Sequence, residues 1–260
     1  MTSRVTAGVL IASGLLLATT PARAQRGPAA SSPHLSPEIL SLACAPKATL
    51  EPPPTPLRIT GGQDAFVRRI YGPGDLVTLN AGMKNGMEVG REYYVRRLQT
   101  APRVPISREA PATVRTTGWI RVYAVDDELS LATVTHACDT IEVGDYLEPF
   151  ELPVIPTIST DRSKPERDNY GRVLVGADRR TNFGKGDYFV IDWGSDRGVE
   201  MGSNLVLYRN KHQDQNFLFE IGEAVAVQVG PGLSTAQVTV SLDAIHEGDY
   251  VGLRKERKEQ

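Results

Sequence analysis

Gly74-Asp75-Leu76-Val77-Thr78-Leu79-Asn80-Ala81-Gly82-Met83-Lys84-Asn85-Gly86-Met87-Glu88-Val89-Gly90 returns 112 residues later. The second copy is Gly186-Asp187-Tyr188-Phe189-Val190-Ile191-Asp192-Trp193-Gly194-Ser195-Asp196-Arg197-Gly198-Val199-Glu200-Met201-Gly202, with 6 of 17 positions identical. Apolar positions answer apolar positions between the identities, and Arg97 answers Arg209 at the same shift. A further block repeats at a shift of 104. Gly118 to Tyr146 aligns with Gly222 to Tyr250, with 12 identities in 29 positions. They include Leu129-Ser130 with Leu233-Ser234, Asp139 with Asp243, and Gly144-Asp145-Tyr146 with Gly248-Asp249-Tyr250. Self-similarity of this kind signals repeated structural units. The change of shift puts eight extra residues into the first copy, within the Pro-broken run from Thr100 to Pro111. Each unit is then about 95 residues, the size of a small independent domain.

Within each copy the apolar pattern is that of strands. Leu76–Leu79, Tyr93–Leu98, Trp119–Val125 and Leu129–Thr135 are short, rich in Val, Ile, Thr and Tyr, and bounded by Gly, Pro or Asp. Leu57–Thr60 and Arg172–Val175 read as the opening strands of the two copies. No long segment keeps a 3.6-residue apolar period. The expected fold class is all-β: two tandem small β-barrel or sandwich modules related by internal duplication. Module 1 is expected at 57–150 and module 2 at 172–254, with a Pro-rich, charged linker at 151–171 and a charged tail at 255–260.

Upstream of the repeats, residues 1–25 have the layout of a signal peptide. Arg4 is basic, Val9 to Ala18 is apolar, and Ala22-x-Ala24 is a small-residue cleavage site. The apolar run is about half the ~20 residues that span a bilayer, and no later run reaches that length, so no transmembrane helix is expected in the mature chain. Residues 26–56 read as a linker, with Pro52-Pro53-Pro54 favouring extended polyproline conformation. One short helix is predicted inside it. Ser36 caps it, Pro37 is its first residue, Glu38 suits its positive end, and it stops near Ala45 before Pro46.

The chain has 260 residues, a formal charge of −2, 24 Gly and only 2 Cys. Two cysteines exclude a disulfide-dense scaffold and a four-Cys zinc module. Residues 1–25 hold two basic and no acidic residues, so their removal leaves 27 basic against 31 acidic residues, a charge of −4. Such a chain is not drawn to nucleic acid or anionic lipid. Cys44 and Cys138 are the only thiols, and in an exported chain an even count points to a bridge between them. Cys138 also reads as a core residue, because its repeat partner is Leu242.

Four Gly-Asp pairs recur: Gly74-Asp75, Gly144-Asp145, Gly186-Asp187 and Gly248-Asp249. Paired carboxylates can serve acid–base catalysis or hold a hard cation. Each pair, however, stands just before a strand-like run, where Gly-Asp forms a turn and the Asp oxygen accepts backbone N–H bonds. Gly82, Gly86, Gly90, Gly194, Gly198 and Gly202 have GxxxG spacing, interrupted by Lys84, Asn85, Asp196 and Arg197. They read as loop positions that need positive φ or close backbone approach rather than as a membrane-helix face. His34, His136, His212 and His246 make no ligand pair, and no GxSxG, phosphate-binding GK[ST] or CxxC motif is present. No catalytic residue, cofactor or metal is assigned on this basis. Trp193 and the Tyr93-Tyr94 pair read as core packing in preference to a binding surface.

The combination of Gly186, Asp187, Gly194, Gly198 and Gly202, closing on Ile245, Gly248 and Asp249, resembles the C-terminal domain of the flagellar assembly protein T family. A looser copy lies at 74–146. Similar modules occur at the C-terminal ends of some LysM-containing envelope proteins. The resemblance implies a small β-barrel module with a non-enzymatic role in the envelope or in assembly. The resulting expectation is an exported, periplasmic or envelope-associated scaffold that docks a periplasmic protein or peptidoglycan. The alternative is an envelope hydrolase or carbohydrate-binding module, with its site in one module or in the cleft between them.

Overall fold

The computed structural model describes residues 35–51, 53–63, 68–100, 112–176, 180–210 and 217–255. Residues 1–25, read in the sequence as a signal peptide, lie outside the described residues, as do His34, His212, residues 101–111 and the end of the charged tail. The elements of the first half are α1 (Pro37–Cys44), β1 (Lys47–Thr49), β2 (Ile59–Gly62), β3 (Ile70–Tyr71), β4 (Leu76–Leu79), β5 (Glu92–Thr100), β6 (Ala112–Val125), β7 (Ser130–Ala137), β8 (Ile141–Glu142) and β9 (Tyr146–Pro149). Those of the second are β10 (Gly171–Gly176), β11 (Asn182–Phe183), β12 (Tyr188–Ile191), β13 (Asn204–Asn210), β14 (Leu218–Val229), β15 (Ser234–Ser241), β16 (Ile245–His246) and β17 (Tyr250–Leu253). The class is all-β with a single α-helix among the described residues.

The second half closes into a six-stranded barrel in the order β10-β12-β15-β14-β13-β17, with all pairings antiparallel. The first half follows the equivalent order, β2-β4-β7-β6-β5-β9. Its ends meet at one bridge, Arg58 to Tyr146, flanked by a Leu147 N–H bond to the Leu57 carbonyl. Each unit adds a two-stranded pair, β3–β8 in the first and β11–β16 in the second. Alternation along the strands builds each core. Val77 and Leu79 point into the first unit with Ile59, Val95, Ile120, Val122 and Val134. Phe189 and Ile191 point into the second with Val173, Leu207, Ala224, Ala226 and Val238.

The turn after β4 explains the glycine spacing. Gly82 and Gly194 share φ −133° and ψ −157°, and a Cβ on either would collide with backbone, at Asp126–Glu128 or at Gly230–Pro231. That close approach lets the Met83 and Ser195 N–H groups bond the Asp126 and Gly230 carbonyls. Gly86 and Gly198 instead cap the short 3-10 turns in the left-handed region, at φ 76° and 78°. A Cβ at Gly86 meets nothing within 4 Å. Gly86→Ala is therefore expected to cost about 1 kcal/mol of backbone strain. Gly82→Ala, which must push strand-connecting backbone aside, should cost about 3 kcal/mol. Urea denaturation of the two variants checks the order.

Among the described residues of the 26–56 stretch, the expected short helix is present and a strand, β1, follows it. Ser36 caps α1 by accepting the Ile39 N–H bond, and Pro37 opens the helix. Immediately after it, β1 pairs with β6, Lys47 opposite Val114 and Thr49 opposite Ala112. The sequence carries no sign of β1, because a three-residue strand has too little pattern to detect. The 151–171 linker has no regular structure up to Tyr170, and Gly171 already belongs to β10. It lies along the second barrel, where the Ser159 N–H bonds the Gly202 carbonyl and the Asn204 side-chain amide bonds the Ser159 carbonyl.

Candidate functional site

The four Gly-Asp carboxylates are tied into the fold. Arg97 projects from β5 and binds Asp145 with two nitrogens, at 2.7 and 2.9 Å. The same carboxylate accepts bonds from the Glu142 N–H and the Thr117 hydroxyl, and Arg97 also pairs with Glu142. Asp145 is 3% exposed. In the second unit Arg209 grips Asp249 at 2.8 and 2.6 Å, Asp249 accepts the His246 N–H, and Arg209 reaches Asp243. Charge-assisted, bidentate bonds of this kind are the strong ones, and the hydrogen bond to each carboxylate raises the arginine pKa above its ordinary value. Asp75 accepts the Gly72 N–H and pairs with Arg68, and Asp187 accepts the Gly184 N–H and pairs with Arg180. Arg68 and Arg180 are themselves 112 positions apart.

The N-terminal segment joins the two units. Cys44 at the end of α1 is bridged to Cys138, just past β7, with Cα atoms 5.6 Å apart. Ala43 packs on Tyr94 and Trp119, with Phe150 completing the cluster. On the other side, Ala48 of β1 packs against Leu174, Val175, Val190 and Leu233 of the second barrel. The Thr235 hydroxyl bonds the Pro46 carbonyl, and the Ser41 and Tyr188 hydroxyls lie 2.6 Å apart. Burial pushes the Tyr188 phenol above its ordinary pKa. Arg96 is nearly fully buried under this segment. Its guanidinium lies 4.2 Å from the Tyr94 ring centre, and its Nε is 3.3 Å from a Glu148 carboxylate oxygen, an ion pair without hydrogen-bond alignment.

Two of the concave surfaces of the described residues adjoin α1. One is a cleft of about 200 Å³ and mixed polarity between the units, lined by Cys44, Cys138, Arg115, Asp139, Asp187 and Tyr188 among others. Its carboxylates are paired, Asp139 with Arg115 and Asp187 with Arg180. The other is a mostly apolar groove of about 400 Å³ between α1, the 151–163 segment and the outer face of β14 and β15. Leu42, Ile155, Ile158, Val225 and Val227 line it. Leu152, Val154, Ile155 and Ile158 are all exposed along that segment, Val154 at 69%.

Of the residues singled out in the sequence, Trp193 lies in the second core and Tyr93 in the first, while Tyr94 lies under α1. His246 donates only its backbone N–H to Asp249 within its turn. His136 is brought close to the disulfide and stacks on Trp119, ring centres 4.3 Å apart. Burial lowers its pKa. Nothing in the sequence connects it to Cys44, and Cys138 lies two residues on, in the bend after β7. No helix among the described residues is long and apolar enough to cross a membrane. No family model and no curated protein matches the chain.

Proposed function

We propose that this is an exported, non-enzymatic scaffold of the cell envelope that docks a periplasmic protein partner through the 151–158 segment. In this reading the two β units are copies of one module of the flagellar assembly protein T C-terminal-domain-like kind. Residues 1–25 direct export, and the Cys44–Cys138 bridge suits the oxidising compartment that export reaches. The observation that carries the reading is the row Leu152, Val154, Ile155 and Ile158. Each is about half exposed or more, beside an apolar groove, on a segment without ladder bonds of its own. Grouped exposed apolar residues mark interaction surfaces. The repeated carboxylates, by contrast, are held by arginines and backbone N–H groups and serve the turns.

The test is affinity capture from envelope extract with the mature chain, alongside sedimentation with purified peptidoglycan. Val154→Asp changes a side chain that is 69% exposed, so the fold should be unaffected. The expected result is a discrete protein retained by the wild type and lost, or weakened at least about tenfold, with Val154→Asp. Retention on peptidoglycan with no protein partner, or capture that ignores the substitution, would overturn the docking assignment.

A further inference from the structure

We propose that Cys44, Cys138 and His136 become a three-ligand zinc site when the disulfide is reduced, so that the bridge and the metal ion are alternative occupants of one place. The inference is independent of the docking reading. Its basis is a juxtaposition: one sulfur from each cysteine and one ring nitrogen of His136 all lie within 4.8 Å of one another. The fold holds them there by separate means. His136 lies near the end of β7, and Cys138 follows it by two positions, in the bend where the Cys138 N–H bonds the Thr117 carbonyl. Stacking on Trp119 fixes the imidazole without help from the disulfide. Docking of Ala43 on the same tryptophan brings Cys44 to the spot, at the last residue of α1.

The donor set suits zinc. Thiolates and imidazole are ligands for this borderline-soft ion, and two thiolates neutralise its double charge, which a half-buried site requires. Neither ring nitrogen of His136 has a hydrogen-bond partner among the described residues, so a lone pair is available. Both cysteines line the cleft between the units, through which solvent can supply the fourth, open position. The movement required is small. In a tetrahedral site with zinc–sulfur bonds of about 2.3 Å, the two sulfurs sit roughly 3.8 Å apart.

The steps balance as follows. A dithiol reductant delivers two electrons to the S–S bond, which breaks to two thiols while the reductant closes to its own disulfide. On zinc binding each thiol loses a proton to solvent, two in all, and the neutral imidazole donates a lone pair. A disulfide oxidant reverses the process. Two electrons pass from the thiolates to the oxidant, whose S–S bond breaks and takes two protons from solvent to give two thiols, while the Cys44–Cys138 bond re-forms and zinc is released.

The test uses the full mature chain, reduced with a phosphine and freed of reductant without oxygen, and zinc alone as the probe. Zinc is measured by competition with a chromophoric chelator, and cobalt substitution is read by its thiolate charge-transfer band. The expected result is one zinc per reduced chain, none per oxidised chain, and affinity weakened at least about tenfold in reduced His136→Ala. Zinc should also raise the unfolding temperature of the reduced chain, because it binds only the folded form. The oxidised wild type is the thiol-free reference, so the comparison needs no cysteine variant. The proposal is overturned if the reduced chain binds zinc no better than the oxidised one. It is equally overturned if His136→Ala binds as tightly as wild type, or if the zinc-loaded chain has lost the near-ultraviolet dichroism of packed Trp119.

Discussion

Cutting the Cys44–Cys138 bridge, in zinc-free buffer, should lower the unfolding free energy by roughly 4 kcal/mol. The bridge closes a loop with a sequence separation of 94 residues, and the entropy it removes from the unfolded chain grows with loop length. Geometry adds to this. α1 makes its contacts on Tyr94, Trp119 and Phe150, and β1 behind it is the strand that touches both units. Releasing the helix therefore loosens the packing of Ala48 against Leu174 and Val190 as well. A loss of this size in a chain of more than 200 residues shifts the thermal midpoint by roughly 10 °C. Calorimetry of the oxidised chain and of Cys44→Ser/Cys138→Ser measures it. A shift under about 2 °C would mean that the helix is held by packing alone.

The second large effect belongs to the arginine–aspartate locks. Asp145→Ala should destabilise by about 3 kcal/mol, and Asp249→Ala by a similar amount. Each substitution removes both bonds to an arginine that is about three-quarters buried, together with the acceptor for a turn N–H. The buried donors left behind lose a partner without regaining water, which is why removing one member of such a set costs more than the set contributes. Asp145→Asn retains one acceptor oxygen and should lose less. Asp75→Asn is the control. Its Arg68 partner is 44% exposed on the side chain, and an exposed pair is worth within about 1 kcal/mol. Urea titrations should show the two locks as a matched pair, with Asp75→Asn near wild type. A catalytic or ligand-binding role for Asp145 would instead leave stability unchanged in that variant.

Much of the fold was legible because the repeated residues are backbone devices. Gly82, Gly86, Gly194 and Gly198 are glycines for reasons of space or φ, and such reasons survive in a single sequence. Leu76–Leu79 is a strand with the bounds read from its pattern, since Val77 and Leu79 alternate with half-exposed neighbours. What was not legible lies where the copies differ. Thr60 and Thr78 of the first unit correspond to Leu174 and Val190 of the second, and those two are apolar because Ala48 of β1 covers them. Trp119 and Phe150 correspond to Glu223 and Arg254. The first pair is an aromatic contact beneath α1, and the second is an ion pair at 2.7 Å. A helix sits on the one and the 151–163 segment lies beside the other, where the Arg254 guanidinium reaches the Arg162 and Ser163 carbonyls. Departures from the repeat thus record which surface each unit turns toward its surroundings. Reading them requires the topology. The same holds for His136 and Cys44, 92 positions apart, which only the docking of α1 brings together.

The proposal that repeated residues build the fold while the unrepeated 151–158 segment docks a partner is tested most directly by one capture experiment. Wild type, Val154→Asp and Asp75→Asn are immobilised in parallel and exposed to the same envelope extract, with the bound protein quantified. The account predicts equal recovery on wild type and Asp75→Asn, and loss on Val154→Asp. Loss on Asp75→Asn with recovery on Val154→Asp would contradict it, placing binding on the repeated Gly-Asp turns instead.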